Sequence, residues 1–242
     1  MAEVKEYCAS YGFAGGIAEY GAVAWDGVTG RERVLVCDES LEQVNRAQAA
    51  LRRIPGVFID ETYRYSIRAY TFERGTTVPL PTLLARHLLA EIGADRLTCH
   101  QTFVDTTILP REIDKGRGLT TLLDMTGQTG ADAVAIGDSE ADLAMFAAAG
   151  RSFAPSHLPC RSSARLLGCR VMGRPFQRGL LQAVRRIVHA NGEPCDRCRH
   201  STEPARDASD LFGDLLTAAD LPRWRLLLRA VLDPMSLRAF AK

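Results

Sequence analysis

Apolar and polar positions recur along the chain with two different spacings, which predict strands and helices in turn. Apolar and β-branched runs at 17–25 and 33–36 predict two strands, separated by a turn at Asp26–Gly30. From Ser40 to Arg53 the apolar residues recur at helical spacing, and the pattern ends before Pro55-Gly56. We therefore expect two strands followed by a helix in this part of the chain.

The same patterns continue further along the chain. They predict strands near 57–59 and 65–72, a helix from Pro81 to Ile92, and strands near 97–104 and 106–109. A helix, two strands, a helix and two strands in this order are typical of an α+β open-faced sandwich. Beyond them, helices and strands alternate again up to about residue 190.

The composition is that of an ordinary globular protein. The 242 residues are 46% hydrophobic, carry a formal charge of +1, and are enough for one sizeable core and an inserted module. No apolar stretch approaches the ~20 residues that cross a bilayer, and the first residues do not resemble a signal peptide. The seven cysteines, an odd number, suggest reduced thiols. We expect a cytoplasmic protein that binds neither membrane nor nucleic acid.

Residues 132–142 carry the clearest chemical signal. A short apolar run ends in Gly137-Asp138, and Asp142 follows where an amphipathic stretch begins. The pattern predicts a strand that ends in one carboxylate and a helix with another in its first turn. Ligands of open parallel sheets bind at this end of the strands, and such carboxylates suit Mg²⁺. The alternative is an ordinary helix N-cap.

A lysine lies where a second helix is expected to begin. Residues 110–119 put Lys115 at this helix start, where the helix dipole disfavours a cation. A phosphate shared with the helix amides would explain the lysine. Lys115 lies about twenty residues before the Gly-Asp-x-x-x-Asp sequence that begins at Gly137, with one helix between, and the combination is a stronger signal than the lysine alone.

These residues resemble two motifs of the haloacid dehalogenase (HAD) superfamily of phosphatases. Asp114-Lys115-Gly116 resembles the third motif, and residues 137–142 resemble the fourth. Glu19-Tyr20-Gly21-Ala22 resembles the strand start that precedes the cap, and Phe153-Ala154-Pro155 the segment after the fourth motif. The similar branch carries a large cap inserted late in the core (type IIB, sucrose-phosphate phosphatase-like or Cof-like). Two departures are Tyr20 and Ala141, where this branch often has Asn.

The resemblance implies an α/β fold in which a Rossmann-like parallel-sheet core, incomplete at its N-terminus, carries an inserted α+β cap. The core would comprise residues 1–27 and 112–192, the cap 28–111, and a Cys-containing linker with C-terminal helices 193–242. It also implies a Mg²⁺-dependent phosphatase acting on a phosphorylated sugar or small phosphorylated acid. In it Lys115 would be catalytic and pair with the phosphoryl group, Asp138 would bind Mg²⁺, and Asp142 would ligate or orient that shell.

One expected motif is absent. The family attacks phosphorus with an Asp of an Asp-x-Asp sequence after the first strand, and these 242 residues contain no Asp-x-Asp. We therefore expect that ~30–50 residues are missing upstream, because a βαβ unit needs roughly 30 or more. The chain as given should then hydrolyse little. The alternative is true degeneration of the site.

The cap is expected to choose the substrate. Arg64, Arg68 and Tyr70 share one face of a predicted strand, and an Arg suits a substrate with an anion or several hydroxyls. The alternative interpretation is a solvated sheet face.

The last fifty residues lie outside the resemblance. Cys195 and Cys198, flanked by His189 and His200, could hold zinc in a tetrahedral site, although the spacing is unlike that of a zinc finger. A plain loop with reduced thiols or a redox pair are the alternatives. Two amphipathic helices are expected near 208–219 and 222–232, which would pack on their own domain or form a homodimer. A non-catalytic HAD-like scaffold with a zinc-binding tail, or a sugar-phosphate mutase, are the alternative functions.

Overall fold

The computed structural model describes residues 1–102 and 104–189. The helices are α1 (Ala2–Tyr11), α2 (Asp38–Leu51), α3 (Thr82–Glu91), α4 (Lys115–Met125), α5 (Leu143–Ala148), α6 (Arg161–Leu166) and α7 (Phe176–Val188). The strands are β1 (Gly15–Ala18), β2 (Val23–Asp26), β3 (Glu32–Val34), β4 (Phe58–Ile59), β5 (Ile67–Glu73), β6 (Thr76–Val78), β7 (Leu97–Gln101), β8 (Thr106–Pro110), β9 (Val134–Ile136), β10 (Arg151–Ala154) and β11 (Arg170–Val171). Within these ranges no helix is long and apolar enough to cross a membrane.

The chain divides into two compact units. The first comprises residues 1–135 and 139–152, and the described part of the second comprises residues 136–138 and 153–189. The core, cap and tail boundaries expected from the sequence stay a prediction, and the tail lies outside the described residues.

The larger sheet of the first unit is antiparallel, with the order β4-β5-β8-β7 and β6 paired to β5. Apolar residues of α2 and α3 pack on one face of it, in a cluster that includes Val44, Leu51, Leu88, Ile67 and Ile108. The predicted order of helix, two strands, helix and two strands is present, with one further strand, β6, between β5 and α3. The added strand β6 follows a tight turn, in which Arg74 and Gly75 both have positive φ.

The first unit also contains a smaller antiparallel sheet, β1-β2-β3. The prediction of a single strand at 17–25 is wrong, because β1 and β2 are separate strands that pair with each other across a 3-10 turn at Glu19–Gly21. Glu19 and Tyr20 take φ values of 50° and 59°, and this left-handed backbone reverses the chain.

In the second unit, parallel pairing is present. Phe153 and Ala154 of β10 pair in parallel with Arg170 and Val171 of β11. Buried side chains of this unit include Phe153, Leu158, Ala164, Met172 and Ala183. The parallel and antiparallel sheets with their covering helices confirm the α/β class.

Candidate active site

Helix α4 begins at Lys115, directly after its N-cap residue Asp114. The Asp114 carboxylate accepts a hydrogen bond from the Arg117 backbone N–H at 2.8 Å, which satisfies one free donor of the first turn. Two glycines let this turn approach its neighbours closely. A Cβ on Gly118 would lie 2.8 Å from the Cα of Gly21, and one on Gly116 would overlap the backbone oxygen of Ala144. The short sequence Lys-Gly-Arg-Gly therefore fixes where the Lys115 side chain starts.

Lys115 forms an ion pair with Asp142, the last residue of a 3-10 turn before α5. The Lys115 Nζ lies 2.5 Å from the Asp142 Oδ1. The Asp142 side chain is 4% exposed, whereas that of Lys115 is 34% exposed. The pair therefore consists of a buried anion and a cation that still reaches solvent.

The second oxygen of Asp142 is also engaged. Its Oδ2 accepts hydrogen bonds from the Ser139 backbone N–H at 2.9 Å and the Ser139 hydroxyl at 2.8 Å, which completes a capping box. Burial pushes the pKa of Asp142 up, but the hydrogen bond and charge of Lys115 and the bonds from Ser139 outweigh it, so the pKa lies below its ordinary value. Asp142 is thus ionised and oriented toward Lys115.

The reversed turn before β2 lies beside the same lysine. The Lys115 Nζ is 5.6 Å from the centre of the Tyr20 ring, at cation–π distance. The preceding Glu19 holds this turn, because its Oε2 accepts hydrogen bonds from the backbone N–H groups of Arg64, Tyr65 and Ser66 at 3.0, 2.6 and 3.1 Å. These bonds help retain two adjacent left-handed residues, a conformation that costs about 1–3 kcal/mol each.

The other predicted carboxylate, Asp138, belongs to the second unit and follows β9. Its side chain is 62% exposed, and its Oδ2 lies 3.3 Å from the Nε2 of His157. The Asp138 side chain is thus largely exposed, whereas the buried Asp142 carboxylate is bonded through both of its oxygens.

Mg²⁺ usually keeps several waters and takes one or two carboxylates together with substrate phosphate. Among the described residues, no three His, Cys, Asp or Glu side chains cluster as metal ligands. The described side chains therefore do not by themselves enclose an ion.

The predicted substrate residues fall in different surroundings. Arg68 and Tyr70 lie on the face of β5 opposite the buried Ile67 and Ala69, whereas Arg64 precedes the strand. The Arg68 guanidinium contacts two carboxylates, through Nε to Asp105 at 2.6 Å and Nη1 to Asp60 at 3.3 Å. The hydrogen bond to Asp105 raises the pKa of Arg68, although burial acts against it. Tyr70 contacts the rings of Phe58 and Phe72.

Of the four candidate zinc ligands, His189 is described and lies just after α7. Cys195, Cys198 and His200 lie outside the described residues, as do the predicted C-terminal helices, so the zinc site stays a prediction.

Three contacts were not expected from the sequence. The capping box of Ser139 and Asp142 follows a local Ser-x-x-acid pattern and was accessible to sequence reasoning. The contacts of Glu19 with the 64–66 backbone and of His157 with Asp138 had no local signal, because their partners are distant in sequence.

One family model matches part of the chain. Residues 80–156 match the model of the haloacid dehalogenase-like hydrolase family, a segment that contains Lys115, Asp138 and Asp142. No curated protein matches the chain.

Solved structures share the fold at low identity. The Thermoplasma acidophilum protein 0175 is 13% identical with a TM-score of 0.59, over 78% of this chain and 79% of its own. A haloacid dehalogenase-like hydrolase from Bacteroides thetaiotaomicron is 14% identical with a TM-score of 0.54, over 77% and 81%. The sucrose-phosphatase from Synechocystis sp. PCC6803, in complex with sucrose and phosphate, is 12% identical with a TM-score of 0.52, over 77% and 80%. The chain therefore shares the fold of these solved structures, and its residues 80–156 match the haloacid dehalogenase-like hydrolase family.

Proposed function

We propose that this chain carries the phosphate-binding half of a Mg²⁺-dependent phosphatase site that acts on a phosphorylated sugar or small phosphorylated acid. The main support for this proposal is the position of the Lys115 ammonium. Lys115 lies at the start of α4, and its Nζ is 2.5 Å from the buried Asp142 carboxylate. An ammonium has three donors, so one bond to Asp142 leaves donors for phosphoryl oxygens. Its positive charge would offset the negative charge that develops on those oxygens during transfer.

Asp142 has a positioning role in this proposal. Because its oxygens bond to Lys115 and Ser139, it keeps the ammonium extended at the helix start against the unfavourable dipole. Asp138 would hold the metal ion. Bound Mg²⁺ supplies Lewis-acid polarisation of a phosphoryl oxygen.

The contacts of the sheet face favour a hydroxyl-rich substrate over a second anion. Tyr20 links the lysine to this face, because its hydroxyl accepts a hydrogen bond from Thr107 at 3.3 Å, and Thr107 is paired with Arg68 across the sheet. Since Asp60 and Asp105 already offset the charge of Arg68, this residue offers hydrogen bonds and little net charge. The solved sucrose-phosphatase structure, with its bound sucrose and phosphate, supports a sugar phosphate by analogy.

Turnover by these 242 residues should be slow. The sequence contains no Asp-x-Asp to supply the nucleophile and its acid–base partner, and the described acids near Lys115 are already bonded. Binding of phosphate does not need the nucleophile. We therefore expect weak phosphate and Mg²⁺ binding with little hydrolysis.

The test is inorganic phosphate binding, measured by calorimetry in the presence of Mg²⁺. Lys115→Met should weaken binding about 10-fold or more, because a hydrogen bond to a charged group contributes roughly 1.5–3 kcal/mol. Lys5→Met is the matched control, since Lys5 forms an exposed ion pair with Glu32 elsewhere in the unit. Equal phosphate affinity of Lys115→Met and Lys5→Met would rule out the proposed site.

The second candidate, a non-catalytic HAD-like scaffold with a zinc-binding tail, is favoured by one observation, the absence of Asp-x-Asp. It predicts one bound zinc that is lost in Cys195→Ser, together with no response of the protein to Mg²⁺ or phosphate. Metal analysis of the purified chain separates the two functions.

A further inference from the structure

His157 uses both ring nitrogens in the second unit. Its Nδ1 accepts a hydrogen bond from the backbone N–H of Phe176 at 3.1 Å, and its Nε2 lies 3.3 Å from the Asp138 Oδ2. The imidazole therefore bridges the start of α7 and the carboxylate that follows β9.

The backbone donor selects one form of the ring. An N–H aimed at Nδ1 needs a lone pair there, so this nitrogen carries no proton and the proton of the neutral ring is on Nε2. That Nε2–H can then donate to the Asp138 carboxylate. The direction of the second hydrogen bond thus follows from the first.

The two loops that hold this histidine are tied together. The Ser156 N–H donates to the Arg174 carbonyl at 2.9 Å, and the Arg174 N–H donates to the Gln182 side chain at 3.1 Å. Phe176 keeps a left-handed φ of 48°, and its ring centre lies 4.1 Å from that of His157. A non-glycine residue rarely adopts this conformation, so the surrounding contacts must stabilise it. The imidazole is therefore held in place by the fold.

We infer that His157 is a positioning residue for Asp138, whose carboxylate it orients toward a divalent cation through a hydrogen bond from Nε2–H. The inference rests on the proposed function, because it needs Asp138 to be a metal ligand. Residues that hydrogen-bond a metal ligand typically change metal affinity by about 10–100-fold when removed. Since the Asp138 side chain is 62% exposed, we expect the lower end of that range, about 10-fold.

The experiment uses the full chain and Mn²⁺ as the probe, with free Mn²⁺ followed by electron paramagnetic resonance. The variants are His157→Phe, which removes the donor, His157→Gln, which restores an N–H donor, and Asp138→Asn, which removes the carboxylate charge. His87→Phe is the matched control, because His87 is exposed on α3 in the other unit. Melting temperatures of all variants are compared in the absence of metal.

A second measurement does not depend on metal affinity or folding of a variant. A long-range ¹H–¹⁵N spectrum of the wild-type protein with ¹⁵N-labelled histidine reports which ring nitrogen carries the proton. The inference requires the Nε2–H form for His157.

The outcomes separate the two proposals. The inference is supported if His157→Phe weakens Mn²⁺ binding about 10-fold, His157→Gln recovers most of it, and His87→Phe changes nothing. If Asp138→Asn loses Mn²⁺ binding while His157→Phe keeps it, or if Nδ1 carries the proton, His157 has no such role and the proposed function stands. If Asp138→Asn binds Mn²⁺ like the wild type, the metal assignment of the proposed function fails, and the inference fails with it.

Discussion

Replacing Asp142 by Asn tests the ion pair on which the proposed phosphate site depends. Asn keeps the size of the side chain and can still accept a hydrogen bond from Ser139, but it loses the charge that faces the Lys115 ammonium at 2.5 Å. The variant therefore isolates the charge of one buried carboxylate.

The expected loss of stability follows from the burial of the pair. Removing one partner of a buried ion pair costs about 3–5 kcal/mol, because the other charge is left without compensation. Lys115 is 34% exposed and can turn toward water, so we expect a smaller loss of about 2–3 kcal/mol in the free energy of unfolding. The double variant should lose less stability than the sum of the losses in Asp142→Asn and Lys115→Met, because the second substitution removes the charge that the first leaves without compensation.

Urea unfolding of the wild type, Asp142→Asn, Lys115→Met and the double variant measures this coupling. We expect an interaction free energy of about 1–2 kcal/mol between the two side chains. If the two single-variant losses add up to the loss of the double variant within about 0.5 kcal/mol, the reasoning is refuted, since independent sites show that level of additivity.

The same pair predicts a pH dependence. Because the folded-state pKa of Asp142 is lowered, its contribution is fully present above the unfolded pKa of about 4 and is lost as the pH falls through the lower folded value. The stability difference between wild type and Asp142→Asn should thus be constant from about pH 5 to 8 and shrink in stronger acid. A difference that grows on acidification would contradict this assignment.

Three further outcomes are expected. Gly116→Ala should lower the free energy of unfolding by about 1–3 kcal/mol, since its Cβ would overlap the Ala144 backbone, whereas Gly173→Ala, with open space around it, should be near neutral in the same urea assay. Glu19→Gln should cost about 1–3 kcal/mol by thermal unfolding, because it weakens three backbone hydrogen bonds, and the exposed Glu3→Gln should cost far less. The purified chain should hydrolyse p-nitrophenyl phosphate slowly; ordinary enzymatic turnover that Asp138→Ala abolishes would show that the nucleophile argument is wrong.

Much of the fold could be predicted from local sequence. The helix from Ser40 to Arg53 was expected from its apolar spacing, and α2 spans Asp38–Leu51. The strand at 17–25 could not be predicted correctly, because it is broken by Glu19 and Tyr20 in a left-handed turn. Neither residue favours that conformation, and contacts of Glu19 with residues about 45 positions away retain it. A pattern that considers only near neighbours has no access to such contacts.

For the candidate site, the sequence alone determined the residue types and their order: a lysine at a helix start, a carboxylate after a strand and another before α5. These are local features, because each depends on a helix or strand boundary that the apolar pattern marks. Only the tertiary structure decided what each group does. It pairs Lys115 with Asp142 across 27 positions and Phe176 with His157 across 19. Two carboxylates that appear equivalent in sequence differ because packing buries Asp142 against Lys115 and Ser139, whereas the Asp138 side chain stays 62% exposed.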